Sequence, residues 1–333
     1  MPRLGRGRRP RLGWPRACDR LGRSGSECRR MSAVRSFDEL SDVVRATGPV
    51  VVAIAGGEDQ QVAAALAIGL EMGLILHATL TGDPAAILAL LPANAHHSVT
   101  ILPAQSAAEM AALAVAEVAA GRADILIKGA VDSGAYLKAV VNRSTGIAQS
   151  DVLSNITIAA IPGLDRLIGA TDNGIVPAPT CGQKRAIVQN TVPLWRGLGV
   201  SVPKVALLAA TEKVTPAMPA TVDAAQIVGQ GIAGFEVAGP MGYDMAINPR
   251  AASLKGAGEN RVAGHADLLL FPNIEAANAV VKSWKFHANA QTGSIVLGGL
   301  VPILLNSRSD GAQARLNGLL LAITMLAGQR AGH

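Results

Sequence analysis

Residues 47–83, TGPVVVAIAGGEDQQVAAALAIGLEMGLILHATLTGD, decide the fold. Pro49–Ala55 is a short β-rich apolar run, and Gly56-Gly57 breaks it, which reads as a buried strand. A helical pattern follows from Glu58, with acids in its first turn where the helix dipole favours them. Val62, Leu66 and Leu70 fall at i, i+4 and i+8 and mark its buried face. Leu74–Leu80 is the next strand, closed by Thr81-Gly82-Asp83. The alternation continues outward. Ser106 with Glu109 predicts a capping box and a helix to about Ala120, stopped by Gly121. Strands read at Asp124–Lys128, Ile156–Ile161, Leu167–Ala170, Val205–Ala210, Phe235–Ala238, Leu268–Phe271, Ile295–Leu297 and Ile303–Leu305. Asn248-Pro249 reads as an N-cap with proline at the first helical position. Strands alternating with helices predict the α/β class with mainly parallel sheets, and 333 residues suggest two domains. One echo is internal: Gly121-Arg-Ala-Asp124 and Gly264-His-Ala-Asp267 each stop a helix and enter a buried strand.

The net charge of +6 points at first to nucleic acid or an anionic membrane. Its distribution withdraws that suggestion. Residues 1–30 hold ten arginines and two acids, a net of +8, while the remaining 303 carry 20 basic and 22 acidic residues. The leader mixes Gly, Pro and Arg without apolar periodicity, and it lacks the apolar run of a secretory signal. Its prolines and missing amphipathic face argue against a transit peptide, and Trp14 alone among the arginines argues against stacking on nucleic acid. The expectation is a start at Met31, with residues 1–30 a start-site artefact or a disordered, functionless tail. No stretch approaches the roughly 18 unbroken apolar residues of a membrane span. Cys18 and Cys28 lie in the leader and only Cys181 in the body, so a reducing cytoplasm is the default and Cys181 reads as an unreactive thiol.

Several chemistries lack their residues. There is no phosphate-binding G-x-x-x-x-G-K-[ST], no G-x-G-x-x-G after a strand and no G-x-S-x-G elbow. The histidines are isolated or sit in a polar loop without carboxylates, so no metal is implied. Three post-strand loops hold better candidates. The first is Lys128-Gly-Ala-Val-Asp-Ser133-Gly, followed by a helix carrying Lys138; it combines cations, a hydroxyl and a helix N-terminus. The second is the polar cluster Thr171-Asp172-Asn173-Gly174. The third is Asn306-Ser307-Arg308-Ser309-Asp310-Gly311, where an arginine can fork onto a phosphate and Asp310 can cap the last helix or act as a base. Turns and caps use the same residue types. Together the loops favour an anionic small molecule in a cleft.

The residues also carry a resemblance. Lys128-Gly-Ala-Val with Leu137-Lys138-Ala-Val, Val205-Ala-Leu-Leu-Ala-Ala and Met218-Pro-Ala-Thr-Val-Asp223 resemble the phosphate acetyltransferase/phosphate butyryltransferase family. So do Gly239-Pro240-Met241-Gly-Tyr-Asp244, Val262-Ala-Gly264-His-Ala-Asp267, Phe271-Pro-Asn273-Ile-Glu275-Ala-Ala-Asn278 and Ser307-Arg308-Ser-Asp310. The match runs in order over about residues 48–325, and the Asn306-Ser-Arg-Ser-Asp ending looks closer to the butyryl branch.

The resemblance implies two α/β domains of the isocitrate/isopropylmalate-dehydrogenase-like type with the active site in the interdomain cleft. The first, discontinuous domain would span 31–152 plus 300–333 and the second 153–299. It implies a cytoplasmic homodimer that interconverts acyl-CoA and phosphate with acyl phosphate and CoA. No metal, nicotinamide or other cofactor is implied, CoA being a substrate, and neither nucleic acid nor membrane is a partner.

The thiol of CoA, with an ordinary pKa near about 8.5, must lose its proton to attack acyl phosphate. Ser307 and Arg308 would act at the reacting phosphate with Lys138, and Lys128, Ser133, Asp172 and Asn173 would bind substrate phosphate. Asn273 and Asn278 would bind CoA. Two positions depart from acetyl-type members: Lys138 replaces an arginine, and Ala314 stands where those members carry a catalytic aspartate. Asp310 is the nearest carboxylate and is the expected base. The rival expectations are a metal- and nicotinamide-dependent decarboxylating dehydrogenase of related fold, and a non-catalytic CoA, anion or nucleic-acid binder.

Overall fold

The protein is described here by a computed structural model covering residues 33–307 and 310–331. The leader with Cys18 and Cys28, and the expected phosphate ligand Arg308, therefore lie outside the described residues.

Ser36 opens the first helix, α1 (Phe37–Arg45), by accepting the Glu39 N–H, and Phe37, Leu40 and Val44 are buried. The deciding stretch folds as β1 (Val50–Ala55), α2 (Gln60–Glu71) and β2 (Ile75–Gly82). The two acids expected in the first turn of α2 sit outside it. Asp59 is the N-cap and accepts the Val62 N–H at 2.9 Å, while Glu58 accepts the Asp83 N–H. After α3 (Pro84–Leu90) and a 3-10 turn comes β3 (Val99–Pro103). β3 was not among the expected strands, although Val99-Thr100-Ile101-Leu102 is a short β-rich run. It pairs only with β2 at the sheet edge and is half-exposed throughout.

Next come α4 (Ala107–Ala119), β4 (Ile125–Lys128), α5 (Ser133–Val140), β5 (Ser154–Ala160) and β6 (Leu167–Thr171). Ser106 caps α4 as expected, but Glu109 reaches one residue past the box, to the Gln105 N–H. There follow α6 (Cys181–Gln189), α7 (Val192–Gly197), β7 (Lys204–Leu208), α8 (Pro219–Gln230), β8 (Glu236–Met241), α9 (Tyr243–Ile247) and α10 (Pro249–Leu254). The chain closes with β9 (Leu268–Leu270), α11 (Ile274–Phe286), β10 (Gln291–Leu297), β11 (Ile303–Leu304) and α12 (Ala312–Arg330).

These eleven strands form one sheet in the order β3-β2-β1-β4-β11-β10-β5-β6-β9-β7-β8. Pairing is parallel except at β11–β10, β10–β5 and β5–β6. Strands β1–β5 and β11 therefore point one way and β6–β10 the other. The internal echo has a shared physical basis. Asp124 donates its N–H to Val51 O and accepts the Val51 N–H at 2.9 Å; Asp267 treats Lys204 in the same way, at 2.8 Å. Each aspartate ties the entry of its strand to the neighbouring strand, after a glycine at φ 72° (Gly121) or 80° (Gly264).

Side-chain alternation divides the central strands between two faces. Ile156, Ile158, Ile295 and Leu297 share a core with leucines of α2 and α12. The last helix is buried nearly all round, which fits its apolar composition on every side. On the opposite face, Val296 packs with Tyr136 and Val140 of α5, and Ala159 packs with Ala277, Val281 and Trp284 of α11. Asn155, Thr157 and Ser294 share that second face, so a polar strip runs between α5 and α11.

Candidate functional site

The loops after β1 and β4 lie against each other through Gly129 N–H to Ala55 O and Ala130 N–H to Gly56 O, both 2.8 Å. A Cβ on Gly129 would run into the Gly56 carbonyl, so close backbone approach requires glycine there. This fixes Lys128, whose Nζ donates to Gly129 O at 3.1 Å. Asp132 caps α5 by accepting the Ala135 N–H, which leaves Ser133 and Lys138 exposed on that helix.

The loop after β11 opens at the same sheet edge. Asn306 is buried, and its Nδ2 has no hydrogen-bond partner. Asp310 is 7% exposed; Oδ2 accepts the Ser307 N–H at 3.0 Å and Oδ1 pairs with Lys285 Nζ at 2.8 Å. Its backbone carbonyl accepts from Nε of Arg315, which is itself buried and lies 3.8 Å from Asp59. A cavity of about 450 Å³ adjoins this cluster and is lined by Lys285, Thr292, Asp310, Gln313, Ala314 and Asn317, among others. Lys285, Arg315 and Asn317 escaped the sequence reading. The signal available for the last two was a charged and an amide residue just ahead of an aliphatic helical run.

Asp172 and Asn173 leave the sheet in the opposite sense, because β6 runs against β4 and β11, although Thr171 and Ile127 fall in one row across the sheet. Asp172 is buried and accepts four backbone N–H groups, from Asn155, Gly174, Ile175 and Val176. Burial raises its pKa although these hydrogen bonds oppose the shift. Its carboxylate shapes the loop that follows β6. Asn173 belongs to the polar strip: Asn155 Nδ2 donates to Asn173 Oδ1 at 2.8 Å and Asn173 Nδ2 donates to Thr157 Oγ1 at 2.9 Å. Thr157 meets Ser294 at 2.7 Å. Asn273 caps α11 through the Ala276 N–H, and Asn278 donates to Asn173 O at 3.2 Å.

The expected residues thus form two groups. Lys128, Ser133, Lys138, Ser307 and Asp310 follow strands that run one way, and Asp172, Asn173 and Asn273 follow strands that run the other. Helix α11 joins them. Asn278 touches the strip, and Lys285, seven residues and about 10 Å further along the helix, touches Asp310.

Cys181 is the first residue of α6, where Thr180 and Gln183 complete a capping box. Burial, with Asp223 nearby, nonetheless raises the thiol pKa, which disfavours the nucleophilic thiolate. Among the described residues no three His, Cys, Asp or Glu side chains are grouped so as to hold a metal ion.

A family model described as phosphate acetyl/butaryl transferase matches residues 90–323. The probable phosphate butyryltransferase of Bacillus subtilis strain 168 is 39% identical over 277 residues, covering 82% of this chain and 92% of that protein. The phosphate acetyltransferase of Rhizobium meliloti is 33% identical over 307 residues, covering 89% of this chain and 95% of that protein. The crystal structure of a branched-chain phosphotransacylase from Enterococcus faecalis V583 is similar with a TM-score of 0.75 at 26% identity, covering 83% of this chain and 99% of that one.

Proposed function

Because the chain belongs to the phosphate acetyl/butyryltransferase family and is a phosphate acyltransferase, we propose that it interconverts short-chain acyl-CoA plus phosphate with acyl phosphate plus CoA by direct transfer in a ternary complex. In the direction of thioester synthesis, the CoA thiol gives its proton to a base. The thiolate then forms the C–S bond as the acyl C–O bond to phosphate breaks. Phosphate leaves with that electron pair.

Asp310 is the proposed base. The observation that carries this reading is the arrangement around it: a buried carboxylate beside an open cavity, held by Lys285 and by the Ser307 N–H. An ionised carboxylate has about four lone-pair sites, so these two bonds leave acceptor capacity for a thiol. Ser307, Arg308 and Lys138 would take the phosphate, with Lys128 and Ser133 beside them. Asn273 and Asn278 would take CoA through amide atoms their present bonds leave over. Asp172 and Asn173 would contribute through the shape of their loop. Two α/β halves, 31–152 plus 300–333 and 153–299, would flank the site in an isocitrate/isopropylmalate-dehydrogenase-like arrangement. The reversal of strand direction between β11 and β10 supports that division. A cytoplasmic homodimer completes the reading; among the described residues no helix is long and apolar enough to cross a membrane.

The test follows CoA release from butyryl-CoA in the presence of phosphate, with Asp310→Asn beside the parent across pH. Asparagine keeps an acceptor for the Ser307 N–H but cannot take a proton. The expected outcome is a fall in kcat of about 10²–10⁴-fold, the usual worth of a positioned base. Unchanged turnover at every pH would remove Asp310 from the mechanism.

A further inference from the structure

Beneath the Asn306–Asp310 loop lies a second, smaller cavity, between α2 and α12. It is lined chiefly by aliphatic side chains, among them Ile54, Val62, Ala65, Leu66 and Leu316, with Asn306 and Arg315 as the polar residues. Its volume is about 20 Å³. One water needs about 10–15 Å³ on this measure, so the slot holds one or two methyl-sized groups. The Asn306 side chain is more than nine-tenths buried, yet its Nδ2 donates to nothing. A buried amide donor without an acceptor is costly, and an acceptor on a bound ligand would relieve that cost. Asn306 immediately precedes Ser307, and Arg315 ties the wall of the slot to the Asp310 carbonyl. An apolar slot with one unpaired donor at the root of the reacting loop fits a carbonyl group bearing a short alkyl tail.

We propose that this slot is the acyl pocket of the enzyme, with the alkyl end of a propionyl or butyryl group among Val62, Ala65, Leu66 and Leu316 and the acyl carbonyl oxygen accepting a hydrogen bond from Asn306 Nδ2. The assignment rests on the phosphate acyltransferase reading above and adds to it the chain length and the residues that read it. When the CoA thiolate adds to the carbonyl carbon, the π pair moves onto oxygen, where the Asn306 donor meets it. The pair returns as the C–O bond to phosphate breaks.

The experiment measures kcat and KM with acetyl-, propionyl-, butyryl- and hexanoyl-CoA plus phosphate, for the parent, Ala65→Leu, Val62→Ala and Asn306→Leu. Each buried methylene is worth about fourfold, so the parent is expected to favour butyryl over acetyl by about 15-fold and to reject hexanoyl, which overfills the slot. Ala65 is partly exposed on a helix, so leucine there folds readily while filling the slot. Ala65→Leu is expected to abolish the butyryl preference. Val62→Ala is expected to raise hexanoyl relative to butyryl. Asn306→Leu is expected to lower kcat by about 10²-fold while Tm holds or rises, because a buried unpaired donor is gone. An active Ala65→Leu enzyme with the parent's butyryl-to-acetyl ratio, or Asn306→Leu with unchanged kcat, overturns the pocket and leaves the acyltransferase reading standing. A parent protein that turns over none of the acyl-CoAs with phosphate overturns that reading and the pocket with it.

Discussion

At the scale of single residues, Asp172 organises the loop that follows β6, where its buried carboxylate accepts four backbone N–H groups. Burial holds its carboxyl above the ordinary 3.8 even though four N–H groups favour the charged form. The folded protein therefore binds this proton more tightly than the unfolded chain does. The resulting stabilisation is complete below pH 3.8 and is lost as pH rises through the folded-state value, with no further change beyond. Asp172→Asn removes this dependence and turns the acceptor facing the Val176 N–H into a donor. The expected result is a loss of about 1–3 kcal/mol near neutrality and a flatter Tm profile as pH rises above 3.8. Parallel Tm profiles for the two proteins would show that the carboxylate has no such role. Asp310 was legible as a loop carboxylate. Its partner Lys285 was not, since 25 residues separate them and only the packing of α11 joins them.

At the scale of elements, the helix–helix contact between α7 and α12 is made by backbone against glycine. A Cβ at Gly328 would strike the Pro193 carbonyl, and one at Gly197 would strike the Thr324 carbonyl. Gly328→Ala is expected to cost about 1–3 kcal/mol by overpacking, read as a lower denaturant midpoint at unchanged m. Gly182→Ala in α6, where an added Cβ meets nothing within 4 Å, is the control and should be neutral or slightly stabilising. Equal midpoint shifts for the two variants would contradict the close approach. Glycines in an aliphatic helical run look like weak helix formers in the sequence; only the packing shows that two of them admit a neighbour's backbone.

At the scale of the whole molecule, residues 32–333 form a compact unit by themselves. Residues 1–30 carry the basic excess of the chain. Deleting residues 1–30 is therefore expected to leave kcat/KM for acyl transfer and the Tm unchanged, as measured by the same CoA-release assay and a thermal melt. A shortened protein that loses transfer would give the leader a part in function and return attention to its charge. Without those residues the chain is slightly acidic, with 20 basic and 22 acidic residues.

The sequence by itself determined the α/β class and most of the strands, because buried strands of a mainly parallel sheet are continuous apolar runs bounded by glycine. It also determined family membership, through motifs in fixed order, and the cation loops after β4 and β11. The edge strand β3 was not expected, although Val99-Thr-Ile-Leu102 is a short β-rich run; its half-exposed place at the edge is a matter of packing. Only the tertiary structure decided the direction of each strand. The chain reverses direction between β11 and β10, so the loops carrying Asp172 and Asn273 leave the sheet in the opposite sense to those carrying Lys128 and Asp310. It also decided the Lys285–Asp310 pair, the buried Arg315 and the unpaired amide of Asn306 beside an apolar slot. Periodicity records which face of an element is buried; strand direction and the meeting of distant side chains depend on how the elements pack.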